Sequence, residues 1–127
     1  MEVSYYKLTV QTEDSQNPTI VEIRGPYTVN VDSDNLEDIL EAVFEYDNLH
    51  QTEGPSLTGY STGTLLDYVI VNRRGKRIVA YCAPIGWLVL TPVPEADAIN
   101  SRAVLPHGLT SEEIRNIFTK IQPNLPA

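Results

Sequence analysis

The side chains that most often carry out nucleophilic or acid–base chemistry are sparse in this sequence. It contains two histidines, His50 and His107, and one cysteine, Cys82. A catalytic histidine needs a nucleophile and an orienting group within reach. The sequence around each histidine supplies neither, so we interpret both as ordinary surface histidines. Reactive thiols lie beside a helix start or a cation. Cys82 ends a predicted strand with neither nearby, which favours a buried, inert cysteine.

Several kinds of site are disfavoured by spacing. A single cysteine cannot form an internal disulfide or a cysteine-based zinc site, and the glycine-containing run 59–63 lacks the lysine and the spacing of a phosphate-binding loop. We therefore expect no metal and no cofactor. One enzymatic arrangement stays open, in which the carboxylate of Asp67 works with His50 across the long loop between them. Such an enzyme would need a concave site and a carboxylate with a raised pKa.

Charge is the most informative property of the sequence. Seventeen Asp and Glu residues against nine Lys and Arg residues give a formal net charge of −8, which argues against direct nucleic-acid binding. The acids are concentrated between Arg24 and Arg73, where there is no Lys or Arg. A run of this length exceeds what solubility requires, so it fits a surface for a basic partner as well as an ordinary solvated helix face. The nine acids of this run are Asp32, Asp34, Glu37, Asp38, Glu41, Glu45, Asp47, Glu53 and Asp67.

The densest part of this acidic run is predicted to be an amphipathic helix over residues 34–46. Its apolar residues recur at three- and four-residue spacing, which places them on one face, and Asp34 with Glu37 fits a capping-box start. Like charges four residues apart cost an isolated helix about 0.2–0.5 kcal/mol per pair, so the acids of the outer face do not serve helix stability. The apolar face comprises Leu36, Ile39, Leu40, Val43 and Phe44, and the outer face carries Asp34, Glu37, Asp38, Glu41 and Glu45.

The remaining elements predict an antiparallel sheet. Alternation of side chains and enrichment in β-branched and aromatic residues indicate strands before and after the helix. Residues 48–63, rich in Gly, Ser and Thr, form the longest predicted loop, and residues 92–106 are predicted to be irregular. The predicted strands are 3–11, 19–23, 27–31, 64–72, 77–82 and 87–91.

A second amphipathic helix is predicted over residues 110–121. Thr110 and Glu113 form a capping box at its start, and Leu109 with Ile114 forms a hydrophobic staple. A chain of 127 residues favours one core. We therefore predict a single α+β domain over residues 1–127, in which an antiparallel sheet of about five to six strands is packed by two amphipathic helices, at about 34–46 and 110–121.

The predicted location is the cytoplasm. Residues 1–6 lack the basic start and apolar run of a signal peptide, and no stretch approaches the roughly 20 apolar residues of a membrane span. The lone cysteine also fits a reducing compartment. We expect no membrane partner.

A basic cluster lies at the predicted turn between two strands. The segment 73–77 holds four of the nine basic residues. It could contact phosphate or an acidic partner. However, hairpin tips are solvated and tolerate charge, and the net negative charge of the molecule repels nucleic acid. The pattern favours a solvated hairpin tip and leaves a functional role open.

The order of the predicted elements carries one family resemblance. A group of N-terminal strands precedes the acidic segment 31–43, a Gly54-Pro55 loop, a three-strand meander from Leu65 to Leu90, and a terminal helix that is followed by proline. This layout, over most of the chain, resembles small immunity proteins of bacterial polymorphic-toxin systems. The resemblance implies a cytoplasmic inhibitor that binds one toxin domain and blocks its active site.

Together these features predict a non-enzymatic, acidic binding protein that inhibits a basic protein partner, such as a nuclease-type toxin. Acidic groups would occupy the site that such an enzyme provides for phosphates. Two alternatives stay open: a phage-encoded DNA mimic that inhibits a host defence complex, and a small enzyme with a carboxylate–histidine site. The predicted partner-binding residues are Asp34, Glu37, Asp38, Glu41, Glu45 and Tyr46.

Overall fold

The computed structural model describes residues 1–12, 17–50 and 65–125, without the side chain of His50. These residues form one antiparallel sheet of five strands, in the order β2-β1-β3-β4-β5, with helices on both faces. The predicted α+β class is confirmed. The strands are β1 (Glu2–Gln11), β2 (Thr19–Asn30), β3 (Leu65–Arg73), β4 (Lys76–Cys82) and β5 (Trp87–Val89), and the helices are α1 (Leu36–His50), α2 (Ala96–Asn100) and α3 (Ser111–Ile121), followed by a 3₁₀ turn, Gln122–Asn124.

Strand β1 lies inside the sheet and is buried on both faces. It pairs antiparallel with β2 on one side and with β3 on the other. Because successive side chains point to opposite faces, Val3 and Tyr5 pack with α1, whereas Leu8 and Val10 pack with α3. The sheet therefore separates two apolar cores, and α1 and α3 lie on opposite faces.

The apolar stripe predicted for the first helix and the buried face of the last helix build these cores. On α1, Leu36, Ile39, Leu40 and Val43 are fully buried, and half-buried Phe44 packs edge-on against Trp87 with ring centres 6.4 Å apart. Burial of each such side chain contributes about 1.5–3 kcal/mol. On α3 the buried residues are Ile114, Ile117, Phe118 and Ile121.

Strand β2 is one strand, whereas the sequence predicted two, at 19–23 and 27–31. Gly25 has a φ of 119°, and the bond between Gly25 and Pro26 is cis. A Cβ at Gly25 would lie 2.7 Å from the carbonyl oxygen of Tyr5, so the backbone passes here at a distance that only glycine permits. The register shifts at this bulge and Tyr27 then pairs with Tyr5. The chain thus remains in the sheet through a Gly-Pro pair that normally ends a strand.

Helix α1 differs at both ends from the predicted range 34–46. Its cap is Asn35 rather than Asp34, because the Oδ1 of Asn35 accepts a hydrogen bond from the N–H of Glu37 at 2.9 Å. The helix also continues to His50. Asp47, in this extension, accepts a buried hydrogen bond from Tyr5. Because the two residues are far apart in the sequence, a local pattern could not predict this contact.

Helix α2 lies in the segment 92–106, which was predicted to be irregular. Five residues carry too little periodicity to predict a helix. The helix is fixed by tertiary contacts instead: Ala96 and Ile99 are buried, and the side-chain amide of Asn100 bonds to both backbone groups of Val89, at 2.6 and 3.0 Å. These bonds satisfy the backbone N–H and C=O of Val89 at the edge of the sheet, as a neighbouring strand would.

The terminal helix begins as predicted. The Oγ1 of Thr110 accepts a hydrogen bond from the N–H of Glu113 at 3.1 Å, and the N–H of Thr110 donates to Glu113 Oε1 at 3.2 Å. The predicted loop 48–63 lies outside the described residues from residue 51 onward. None of the helices that the structure describes is long and apolar enough to cross a membrane.

Candidate functional site

Helix α1 presents an exposed row of carboxylates on the side opposite its buried stripe. Asp38, Glu41 and Glu45 are all exposed and lie at the three- and four-residue spacing that aligns side chains on one face. Within the described part of the chain, none of the three forms an ion pair. We call these three residues the acidic stripe.

The two predicted site residues at the start of the helix have a different environment. Asp34 forms an ion pair with Arg74, and Glu37 forms one with Arg102. Both pairs bring a base from a distant part of the sequence onto the acidic segment, so the start of α1 carries compensated charge. Four of the five predicted acids therefore lie on α1 and Asp34 lies just before its cap, and of these five only the three acids of the acidic stripe lack an ion-pair partner among the described residues.

The sixth predicted residue, Tyr46, faces inward rather than outward. It is half-buried, and its ring meets that of Tyr5 edge-on with centres 6.4 Å apart. Tyr46 and Glu45 line a shallow hollow of about 370 Å³ between α1 and β2, together with Leu49. Leu49 is 69% exposed and follows Glu45 by four residues, so it continues the acidic stripe by one turn. Sequence reasoning missed Leu49, although an apolar residue in line with the polar face was a visible signal.

The C-terminal half of α1 is anchored to the sheet by a buried polar contact. The hydroxyl of Tyr5 donates a hydrogen bond of 2.8 Å to Asp47 Oδ1, and Asp47 is only 2% exposed. Burial, together with the neighbouring Asp47 carboxylate, raises the pKa of Tyr5 well above its ordinary value, so the phenol stays a donor. The anchor lies two residues from Glu45 and two from Leu49, and it fixes how both are presented.

Beside this anchor, the same face of the sheet holds a buried polar cluster. Lys7 is 2% exposed and Thr9 is 6% exposed, and the hydroxyl of Thr9 donates to Asp67 Oδ1 at 2.9 Å. Burial raises the pKa of Asp67, and the carboxylates of Asp47 and Glu22 add to that rise, whereas Thr9 and Lys7 oppose it. The sequence analysis singled out Asp67 but missed Lys7 and Thr9, because their burial follows from the position of β1 inside the sheet.

This cluster bears on the enzymatic alternative. A carboxylate with a raised pKa beside a buried lysine has the properties of a general acid or base. The backbone of His50 ends α1, one turn after Asp47, while its side chain lies outside the described residues. The hydrogen bond from Thr9 and the charge of Lys7 also suit a purely structural network, in which each buried polar group finds a partner.

The basic cluster at 73–77 forms a two-residue hairpin turn whose side chains diverge. Arg74 and Gly75 have φ values of 55° and 76°, as this kind of tight turn requires. On the α1 side, Arg73 donates to Glu95 Oε2 at 2.6 Å and lowers the pKa of Glu95. Arg77 lies on the opposite, α3 side, because Val79 and Tyr81, two and four residues on, pack with α3.

The other residues considered for chemistry lie apart. Cys82 is buried in the core under α1, and His107 is exposed in the connection before α3. Within residues 1–12, 17–50 and 65–125, no three His, Cys, Asp or Glu side chains gather closely enough to hold a metal ion.

Comparison of the chain with protein-family models, with curated proteins and with solved structures finds no match.

Proposed function

We propose that this protein is a non-enzymatic inhibitor that binds a basic surface of a partner protein through the acidic stripe of α1, as an immunity protein binds its toxin in the cytoplasm. The single observation that carries the proposal is that Asp38, Glu41 and Glu45 are exposed on one helix face and form no ion pair with any described base. Elsewhere on the same segment, Asp34 and Glu37 have basic partners.

The surroundings of the stripe support a protein partner rather than a small cation. Exposed Leu49 continues the stripe, and the hollow between α1 and β2 lies beside it. Interfaces combine a charged rim, which steers encounter, with apolar contacts that are desolvated on binding. A stripe of carboxylates that ends at an exposed leucine offers both on one helix face.

The proposal is tested by capture with matched variants. In the stripe variant, Asp38→Asn, Glu41→Gln and Glu45→Gln remove three charges from α1; in the control variant, Glu2→Gln, Asp97→Asn and Glu112→Gln remove three from exposed positions on other elements. We expect the wild type and the control variant, used as bait in an extract of the native host, to retain a basic protein and inhibit its activity. The stripe variant should do neither, and equal inhibition by the stripe variant would contradict the proposal.

A DNA-mimicking inhibitor of a defence complex would use the same charges. The identity of the captured protein distinguishes the two, because a toxin is encoded beside its immunity gene, whereas a defence complex is a host nuclease assembly.

The enzymatic alternative rests on the raised pKa of Asp67 next to Lys7. It predicts that Asp67→Asn abolishes the biological effect while leaving capture of the partner intact. The binding proposal predicts that both survive this substitution wherever the variant is folded.

A further inference from the structure

The face of the sheet opposite α1 carries a groove whose charge is opposite to that of the molecule as a whole. A hollow of about 610 Å³ lies between β4 and α3, and a smaller one of about 280 Å³ continues over β1 and β2; the two share Ile70 and Arg77. We call these two hollows the Arg77 groove. Although the chain has seventeen acids, none of the described residues that line the groove carries a carboxyl group.

The larger hollow combines apolar side chains with polar ones, among them two guanidinium groups. Val79, Leu90 and Phe118 line it together with Ile70, and Arg77 and Arg115 supply the positive charge. Its volume of about 610 Å³ lies within the range of about 300–1,000 Å³ that is usual for small-molecule sites.

The two arginines that line the groove come from different elements. Arg77, near the start of β4, is exposed on the α3 side of the sheet, where the two hollows meet. Arg115 donates hydrogen bonds to the carbonyl oxygens of Leu90, at 3.1 Å, and Val89, at 3.3 Å. Since a guanidinium has five N–H donors, these two bonds orient Arg115 beside the hollow and leave donors for a ligand.

We propose that the Arg77 groove binds a small amphipathic organic anion. Its carboxylate, sulfonate or phosphate head group pairs with Arg77 and Arg115, and its apolar body lies on Ile70, Val79, Leu90 and Phe118. Guanidinium groups are well suited to such head groups, because their planar fork can donate two parallel hydrogen bonds. This site lies on the opposite face of the sheet from the acidic stripe and is independent of the function proposed for α1.

The test is calorimetric titration of the full chain with four probes. Decanoate and 1-naphthoate share the carboxylate head but differ in the body, whereas decanol and decyltrimethylammonium keep the decyl chain without the negative charge. We expect at least one of the anions to bind, with decanol weaker and decyltrimethylammonium weakest; which anion binds distinguishes a chain-like ligand from an aromatic one. Equal binding of the anion and the cation, or binding of neither anion, would overturn the proposal.

Three variants locate the bound anion. Arg77→Gln should weaken binding about tenfold or more, because a charged hydrogen bond is lost, and Thr119→Trp should block the larger hollow, which Thr119 lines from α3. Lys120→Gln removes the same charge from an exposed neighbour that does not line the groove and should leave binding unchanged. Thermal unfolding confirms that each variant is folded. Anion binding that survives both Arg77→Gln and Thr119→Trp would show that the groove is not the site.

Discussion

Replacing Tyr5 by phenylalanine tests how α1 is seated on the sheet. The substitution removes only the hydroxyl that donates to Asp47 Oδ1 at 2.8 Å and leaves a carboxylate that is 2% exposed without that donor. A hydrogen bond to a charged group contributes about 1.5–3 kcal/mol, and a buried acceptor that loses its donor cannot recover this from water. At about 3–5 °C per kcal/mol for a domain of this size, the melting temperature should fall by roughly 5–15 °C.

Tyr81→Phe is the matched comparison. Tyr81 is also buried, at 1% exposure, but its hydroxyl has no hydrogen-bond partner in the described structure, and burial raises its pKa above the ordinary value. Removing this hydroxyl should leave the free energy of unfolding unchanged or increase it by up to about 1 kcal/mol. Urea unfolding of both variants measures the contrast. If Tyr5→Phe costs no more than Tyr81→Phe, the anchor does not hold α1 as described.

Three further substitutions test other contacts. Because burial raises the pKa of Asp67 above its ordinary value of 3.8, the folded chain binds this proton more tightly than the unfolded chain, and the contribution of Asp67 to stability falls as pH rises from about 4 through the raised pKa. The stability of Asp67→Asn relative to wild type, from urea unfolding at several pH values, should therefore rise with pH over that range. Asn100→Ala removes both bonds to Val89 and should lower the free energy of unfolding by about 1–3 kcal/mol, whereas a change below 0.5 kcal/mol, as is usual for surface substitutions, would show that α2 does not support β5. Thr110→Ala should lower the free energy of unfolding by about 1 kcal/mol, because it removes the N-cap of α3. Thr110→Ser should retain most of the wild-type stability, and thermal unfolding measures both variants.

Most of the fold could be predicted because its signals are local. The stripe from Leu36 to Val43 and the capping box of Thr110 are periodic or adjacent patterns, and both helices form where these predict them. The continuous strand β2 could not be predicted, because a Gly-Pro pair favours a turn by local criteria, and only its close approach to Tyr5 keeps it in the sheet.

The candidate site was predictable in part, for the same reason. The helical spacing of Asp38, Glu41 and Glu45 placed them correctly on one face. The compensation of Asp34 by Arg74 and of Glu37 by Arg102 depends on contacts across the fold, which spacing along the chain does not contain. The burial of Lys7 is likewise a consequence of the position of β1 inside the sheet and not of its own sequence neighbours.

The most direct test of the proposed function is the association rate constant between this protein and the captured partner, measured as a function of ionic strength. Electrostatic steering by the acidic stripe predicts a wild-type rate that falls steeply with added salt, since screening shortens the reach of exposed charges. The stripe variant should associate more slowly at low salt and with a much flatter dependence, whereas the control variant should retain most of the wild-type slope. Wild-type association that is independent of ionic strength, or a stripe variant with the wild-type slope, would contradict binding through α1.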